Sequence, residues 1–345
     1  MEVRDDAQVG AVRRAVHAYA RRVGFTEREL AELDIVVQEI GTNAVRYATG
    51  GGWIHFTTPL GAEPGVEIFY CDQGPGISDL DRAVRDGVST GGSLGAGLGA
   101  IKRLLDEFEF YSTVKRARTD RLSLTSNRRT THGTALLGRK WVAATKLTPP
   151  RHASTARRIG VWSRPRPGED ANGDAYFIRR RAGQLLLAVV DGLGHGEGAS
   201  EASAAALEVL SAWQGESLDD IFRRTHERLR PTRGAVMGAC VLDTQRGTFT
   251  YAGVGNVEVR VLNSPHPVRP IPTNGTLGAR LGTVRVWTFD WSEGATVVLA
   301  SDGLSASWDI EDYPGLASKS PQLIAGVLAR DYSRDSDDAT ALVAR

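Results

Sequence analysis

Apolar residues recur at two different periods along the chain, and the change from one to the other marks out its elements. Val12, Val16, Tyr19 and Val23 follow a helical spacing that predicts a helix over Ala11 to Val23, closed by Gly24. A second helix opens at Thr26-Glu27-Arg28-Glu29, a capping box in which Thr26 and Glu29 satisfy each other's backbone N–H groups. Its buried stripe is Leu30, Leu33, Val37, Ile40 and Ala44, and it runs to Ala48 before Gly50-Gly51-Gly52 stops it. Strands follow at Trp53 to Thr57 and Gly65 to Cys71. The glycine-rich run Gly91 to Gly99 then leads into a helix with Leu98, Ile101, Leu104, Leu105 and Phe108 inward.

In the second half the pattern becomes mainly that of strands. Leu185-Leu186-Leu187-Ala188-Val189-Val190 is an apolar run too short for a membrane span and suited to a strand buried on both faces. Helices are expected over Gly198 to Trp213 and Leu218 to Leu229. Gly234 to Asp243 and Thr248 to Val254 form a hairpin around Gln245-Arg246-Gly247, and Val257 to Leu262, Thr296 to Ala300 and Ala339 to Ala344 are further strands. Trp287 and Trp291 are expected to pack on a sheet.

The Leu185 run stops abruptly at Asp191-Gly192-Leu193-Gly194-His195-Gly196, and Asn172-Gly173-Asp174 precedes a strand that would pair with it. If Ala182-Gly183 is a two-residue hairpin tip, Asp174 stands directly opposite Asp191, with Cβ atoms roughly 5 Å apart. Two ionised carboxylates that close repel, and a cation is the natural compensation. Ser301-Asp302-Gly303 ends another apolar strand, and Asp337-Asp338 begins the last. Any one Asp-Gly pair is explained equally by a turn. Four such positions at strand ends, two of them in hairpin register, favour a hard divalent cation held by oxygen ligands, Mg²⁺ or Mn²⁺ rather than zinc. A one-residue change of register swaps the sides of Asp337 and Asp338, so either is the candidate ligand.

In the first half Glu39 and Asn43 are neighbours on one helical face, a pair that is also ordinary surface decoration. Asp72-Gln73-Gly74-Pro75-Gly76 ends a strand with a carboxylate and two glycines, as an exposed turn also would. Gly95, Gly97 and Gly99 enter a helix N-terminus, where unpaired N–H groups and the helix dipole favour phosphate. Gly95 to Ala100 formally fits a dinucleotide-binding pattern, but Asp86 to Gly92 does not form the strand that pattern requires. No P-loop motif occurs. Lys115 to Thr130 is expected to be a solvated loop or irregular hairpin.

Composition narrows the class. At 345 residues the chain suits two domains, and a formal net charge of +1 gives no basic field for nucleic acid. Cys71 and Cys240 are the two cysteines, far apart and without zinc spacing, which fits a reducing compartment. Met1 to Asp6 lacks the apolar core expected of a signal peptide and no long apolar run follows, so the expectation is a soluble cytoplasmic protein without membrane or nucleic-acid partners.

From about Ile159 to Arg345, the ordered set Asn-Gly-Asp174, Asp191-Gly-Leu-Gly-His-Gly, Ser-Asp302-Gly and Asp337-Asp338-Ala-Thr resembles the metal-dependent (PPM-type) serine/threonine phosphatases of the SpoIIE and RsbX branch. The resemblance implies a β-sandwich flanked by helices with two Mn²⁺ or Mg²⁺ ions. Asp174, Asp191, Asp302 and Asp337 would be ligands, and Gly192 would ligate through its carbonyl. Arg157, Arg158, Arg164 and Arg166 are the candidates to grip a phosphate. His195 is open to three readings: a ligand, a proton donor to the leaving serine, or a plain loop residue.

From Met1 to about Val142, Glu39 and Asn43, the Asp72-x-Gly74-x-Gly76 turn and the Gly95-x-Gly97-x-Gly99 entry resemble the GHKL ATPase/kinase family, in its RsbW and RsbT branch of anti-sigma and stressosome switch kinases. The resemblance implies a Bergerat-type α/β sandwich that binds ATP with Mg²⁺. Asn43 would hold the Mg²⁺, Glu39 would be the base, and Asp72 would accept the adenine amino group. Gly74 and Gly76 would shape that pocket, Gly95, Gly97 and Gly99 would wrap the phosphates, and Thr134 would complete the set.

The expected chain is therefore α/β (α+β): a kinase domain over 1–142, a linker over 143–158 and a phosphatase domain over 159–345. The resemblance further implies that both act on STAS-domain anti-sigma antagonists or stressosome proteins, with a sigma factor or downstream regulator as a further partner. Two alternatives stand beside it. The first half could be a non-catalytic ATP-binding module that sequesters a partner, or both halves could be degenerate regulatory scaffolds.

Overall fold

In a computed structural model of the chain, the structure describes residues 1–61, 63–79, 97–114, 132–143 and 158–345. The expected loop at 115–130, nearly all of the expected linker, Gly95 and Arg157 lie outside the described residues. The chain divides into two compact units, Met1–Arg157 with Asp312–Arg330 and Arg158–Glu311 with Asp331–Arg345.

In the first unit, helix α1 (Asp6–Val23) begins before the apolar stripe because the Asp5 side chain caps it by accepting from the Gln8 N–H. Helix α2 (Glu27–Tyr47) has the expected reciprocal capping box at Thr26 and Glu29. Strands β1 (Glu2–Val3), β2 (Gly52–Thr57), β3 (Gly65–Asp72), β4 (Glu107–Thr113) and β5 (Gly133–Trp141) form an antiparallel sheet in the order β1-β2-β3-β5-β4, and helix α3 (Gly97–Leu104) packs on α2. The core between helices and sheet is built from Val12, Val16, Leu33, Val37 and Ile40 against Ile54, Val66, Ile68 and Tyr70. Alternate β3 side chains face the other way. There Phe69 meets Gly326 of helix α6 (Pro321–Tyr332), and the Ser320 N–H, just before that helix, donates to Glu109 at 3.2 Å.

The second unit contains a sheet of strands β7 (Asp174–Arg181), β8 (Gln184–Gly192), β9 (Ala235–Asp243), β10 (Thr248–Val254) and β14 (Val286–Asp290), ordered β14-β10-β9-β8-β7. A second sheet holds β6 (Ile159–Arg164), β11 (Glu258–Leu262), β15 (Thr296–Ala300) and β16 (Ala339–Ala344), ordered β11-β15-β16-β6, with β15 and β16 lying against β7 and β8. A small hairpin joins β12 (Gly275–Thr276) to β13 (Arg280–Leu281). Helices α4 (Glu197–Ser211) and α5 (Leu218–Leu229) cover the larger sheet through Ala202, Ala206, Leu210, Ile221 and Phe222. Trp291 and Trp287 stack on Phe249 and Phe289 of the same sheet, as expected. Among the described residues no helix is long and apolar enough to cross a membrane.

One buried charge group braces the first sheet. Arg139 on β5, 3% exposed, donates to Glu67 at 2.6 Å and to Glu107 at 2.9 Å. Burial pushes the Glu67 carboxyl up, while Arg139 beside it pulls the other way. Arg139→Met would strand Glu67 in the sheet and should cost about 3–5 kcal/mol, whereas Glu67→Gln with Arg139→Met should recover much of that loss. The shift of the urea midpoint in each variant checks this.

Candidate functional sites

In the first unit, α2 carries Glu39 and Asn43 one turn apart on the face that meets α3. A Cβ placed on Gly97, the first residue of α3, would lie 3.2 Å from Glu39 Oε2 and 3.5 Å from Asn43 Nδ2. The glycine-rich helix entry and the polar pair of α2, remote in sequence, are thus brought together. Gly99 lies two residues further along the helix and is buried.

At the end of β3, Asp72 is 8% exposed and its carboxylate is held on three sides. Oδ1 accepts from the Gly74 N–H at 2.7 Å and from the Thr134 N–H at 3.2 Å, and Oδ2 accepts from the Tyr70 hydroxyl at 2.7 Å. Burial first, and then the Asp72 charge, push the Tyr70 phenol upward, so it stays a donor. The Gly74 carbonyl meets His132 Nδ1 at 2.7 Å. Gly76 has φ +77°, and a Cβ there would overlap the Thr113 carbonyl, so the turn after Asp72 requires glycine.

In the second unit the hairpin register is the expected one. Arg181 pairs with Gln184 across Ala182-Gly183, both at positive φ, and Asp174 lies opposite Asp191. Asp302 follows β15, and Asp337 and Asp338 precede β16. Gly303 lets these two chain segments close up, since a Cβ there would overlap the Asp338 carbonyl. The carboxylates are not equivalent. Asp338, 3% exposed, accepts from the Arg166 N–H at 2.8 Å and the Gly173 N–H at 3.0 Å, so both its oxygens brace backbone. Asp337 is half-buried and accepts the Asp338 N–H at 3.0 Å through Oδ1. Asp174 accepts from the Ser301 hydroxyl at 2.6 Å, and Asp302 from Asn256 at 2.7 Å.

Burial raises Asp191 to about 8, and the charges of Asp174, Asp302, Asp337 and Asp338 add to that rise. Burial likewise raises Asp174 to about 7, although Ser301 and Thr340 oppose it by hydrogen bonding. Among the described residues no three His, Cys, Asp or Glu side chains lie close enough to grip one ion together. Asp174, Asp302 and Asp338 instead accept from neutral donors of their own. The donor set nevertheless fits a hard divalent cation, being all oxygen and overloaded with negative charge.

Residues 3–123 match the histidine kinase-like ATPase domain family, and residues 181–345 match the Stage II sporulation protein E (SpoIIE) family. The serine/threonine-protein kinase RsbT of Bacillus subtilis (strain 168) is 38% identical over 103 residues, covering 30% of this chain and 77% of RsbT. The phosphoserine phosphatase RsbX of the same organism is 29% identical over 147 residues, covering 42% of this chain and 73% of RsbX. This chain belongs to both lines: it fuses a GHKL-type kinase-like domain to a SpoIIE/RsbX-like phosphatase domain. A solved structure described as "The bacterial stressosome: a modular system that has been adapted to control secondary messenger signaling" is also similar. It is 32% identical, with TM-score 0.52, over 55% of this chain and 98% of that one.

Several partners in the two domains carry no signal in isolated motifs. Tyr70 shares a sheet face with Asp72 two residues on, so strand alternation offers a hint of it. Ser301 adjoins Asp302, but its bond to Asp174 spans 127 residues. Asn256 and Glu169 have no sequence signal at all. In the phosphatase-like domain, the raised carboxyls of Asp174 and Asp191 set the sign of a pH effect. Their protons are held in the folded state and lost more readily in the unfolded one, so without metal their contribution to stability should fall as pH rises from about 4 to about 8. Mn²⁺ should relieve that repulsion and raise the melting temperature more at pH 8 than at pH 6, read by thermal unfolding with and without the ion.

Proposed function

We propose that this chain is a bifunctional signalling enzyme, a Mn²⁺- or Mg²⁺-dependent phosphoserine/phosphothreonine phosphatase fused to an ATP-dependent serine/threonine kinase. The observation that carries the reading is the register that sets buried Asp174 opposite half-buried Asp191, with Asp302, Asp337 and Asp338 near enough for their charges to raise Asp191 further. In this reading Asp174, Asp191, Asp302 and Asp337 hold two divalent cations, together with the Gly192 carbonyl. Asp337 is favoured over Asp338 because both Asp338 oxygens are engaged by backbone N–H groups, while one Asp337 oxygen is not. Such cations, when bound, lower the pKa of water and neutralise phosphate oxygens. Ser301 holds Asp174 in place, and Asn256 keeps Asp302 at the end of β15.

In the kinase-like domain Glu39 acts as the base toward the accepting hydroxyl, and Asn43 holds the Mg²⁺ that accompanies ATP. Gly95, Gly97 and Gly99 receive the phosphates at the N-terminus of α3, near Glu39 and Asn43 in the case of Gly97. Asp72, fixed by Tyr70, Gly74 and Thr134, offers its remaining acceptor capacity to the adenine amino group. The substrates proposed for both activities are STAS-domain proteins, supported by the likeness to RsbX, to RsbT and to a stressosome structure.

The test is the intact mass of a co-encoded STAS-domain protein incubated with ATP, Mg²⁺ and Mn²⁺. Asp191→Asn should slow metal-dependent dephosphorylation by on the order of a hundredfold or more, and the phosphorylated partner should then accumulate. Adding Glu39→Gln should abolish that accumulation. Phosphorylation that persists with Glu39→Gln would remove Glu39 from the mechanism. No phosphorylation by Asp191→Asn would favour a non-catalytic ATP-binding module.

A further inference from the structure

Resting on the phosphatase reading, we infer that Glu169 and His195 form a hydrogen-bonded relay that orients the Arg166 guanidinium toward the phosphate of the substrate, with His195 a positioning residue rather than a proton donor. His195 belongs to the loop that follows Asp191 and Gly192. Its Nδ1 lies 2.8 Å from Glu169 Oε1, and its Nε2 meets Arg166 Nη1 at 2.5 Å. Hydrogen-bond chemistry decides the direction of both bonds. A guanidinium has donors only, so Nε2 must be the acceptor, and the ring proton therefore sits on Nδ1 and is donated to Glu169. A ring in that state has no proton on Nε2 to give to a leaving serine.

The backbone fixes the other end of the device. The Arg166 N–H donates to Asp338 Oδ1, and the same carboxylate accepts from Gly173, next to Asp174. Main chain and side chain of Arg166 are thus both tied to segments that carry the carboxylate cluster. Its guanidinium uses one N–H on His195, and the rest are available for phosphate oxygens, for which a planar cationic fork is well suited. Of the other candidate arginines, Arg164 is engaged elsewhere. Arg164 donates to the carbonyls of Pro165 and Arg334 and to Asp335, and Arg157 lies outside the described residues. Arg158 lies at the start of β6, at the end of the strand opposite Arg164.

Glutamine offers one acceptor and one donor in nearly the spacing of the imidazole nitrogens, yet it cannot act as an acid. This makes His195→Gln the deciding variant. The full chain is assayed with Mn²⁺ on phosphocasein and on p-nitrophenyl phosphate, whose leaving group needs no proton, and inorganic phosphate is used as product inhibitor. His195→Ala and Arg166→Ala should each raise KM and the inhibition constant for phosphate by roughly tenfold or more on both substrates, with a smaller change in kcat. The double variant should be no worse than Arg166→Ala alone, and His195→Gln should restore values to within about threefold of wild type. If His195→Gln is as impaired as His195→Ala, and the loss falls in kcat on phosphocasein while p-nitrophenyl phosphate is spared, His195 is an acid and the inference is wrong. An Arg166→Ala enzyme with unchanged KM and phosphate inhibition also overturns it. A wild-type chain without Mn²⁺-dependent activity on either substrate overturns the phosphatase reading itself, an outcome distinct from both.

Discussion

Mutual repulsion among carboxylates at the ends of core strands is the constraint on which the second unit depends. Asp174 and Asp191 face each other across the hairpin of β7 and β8, Asp302 ends β15, and Asp337 and Asp338 begin β16. Strands rich in buried Val, Leu and Ala bring these charges to one end of two sheets that pack together. Neutral donors hold several of them apart, Ser301 on Asp174 and Asn256 on Asp302. That arrangement leaves a cost in unbalanced charge, which a divalent cation would remove. Stability and the proposed chemistry are in this sense the same electrostatic problem.

The first unit solves a different problem with the same materials. Asp72, a buried acceptor at the end of β3, is satisfied by neutral donors from one sheet and the turn beyond it, which leaves it competent to accept one more hydrogen bond. In the proposed reading, phosphate would be handled away from Asp72, at the point where the N-terminus of α3 meets Glu39 and Asn43. The two ends of a nucleotide would therefore meet two kinds of surface, one built of neutral hydrogen bonds and one of glycine backbone and helix dipole.

Local patterns in the sequence carry a good deal of this. The dipeptide Ala182-Gly183 suffices to place Asp174 opposite Asp191, because a two-residue turn leaves one register. The capping box at Thr26 and Glu29 likewise sets the start of α2. Long-range hydrogen bonds are another matter. Nothing local distinguishes Asp337 from Asp338, and their difference arises from backbone N–H groups at Gly173 and Arg166, far back in the chain. The start of α1 at Asp6 is missed for a simpler reason, since its first turn is polar and is set by the Asp5 cap rather than by an apolar stripe. Glu169 lies in a Pro- and Gly-containing stretch with no periodicity, and only the folded loop brings it to His195.

The central claim is that the carboxylate cluster is a proton-loaded cation site. Calorimetric titration of the full chain with Mn²⁺ at pH 7, in two buffers of different ionisation enthalpy, measures the protons displaced by the metal. With Asp174 raised to about 7 and Asp191 to about 8, the account predicts saturable binding of Mn²⁺ with net release of protons, both lost in Asp191→Asn. Saturable binding with an enthalpy independent of the buffer, or binding that Asp191→Asn leaves unchanged, would contradict it.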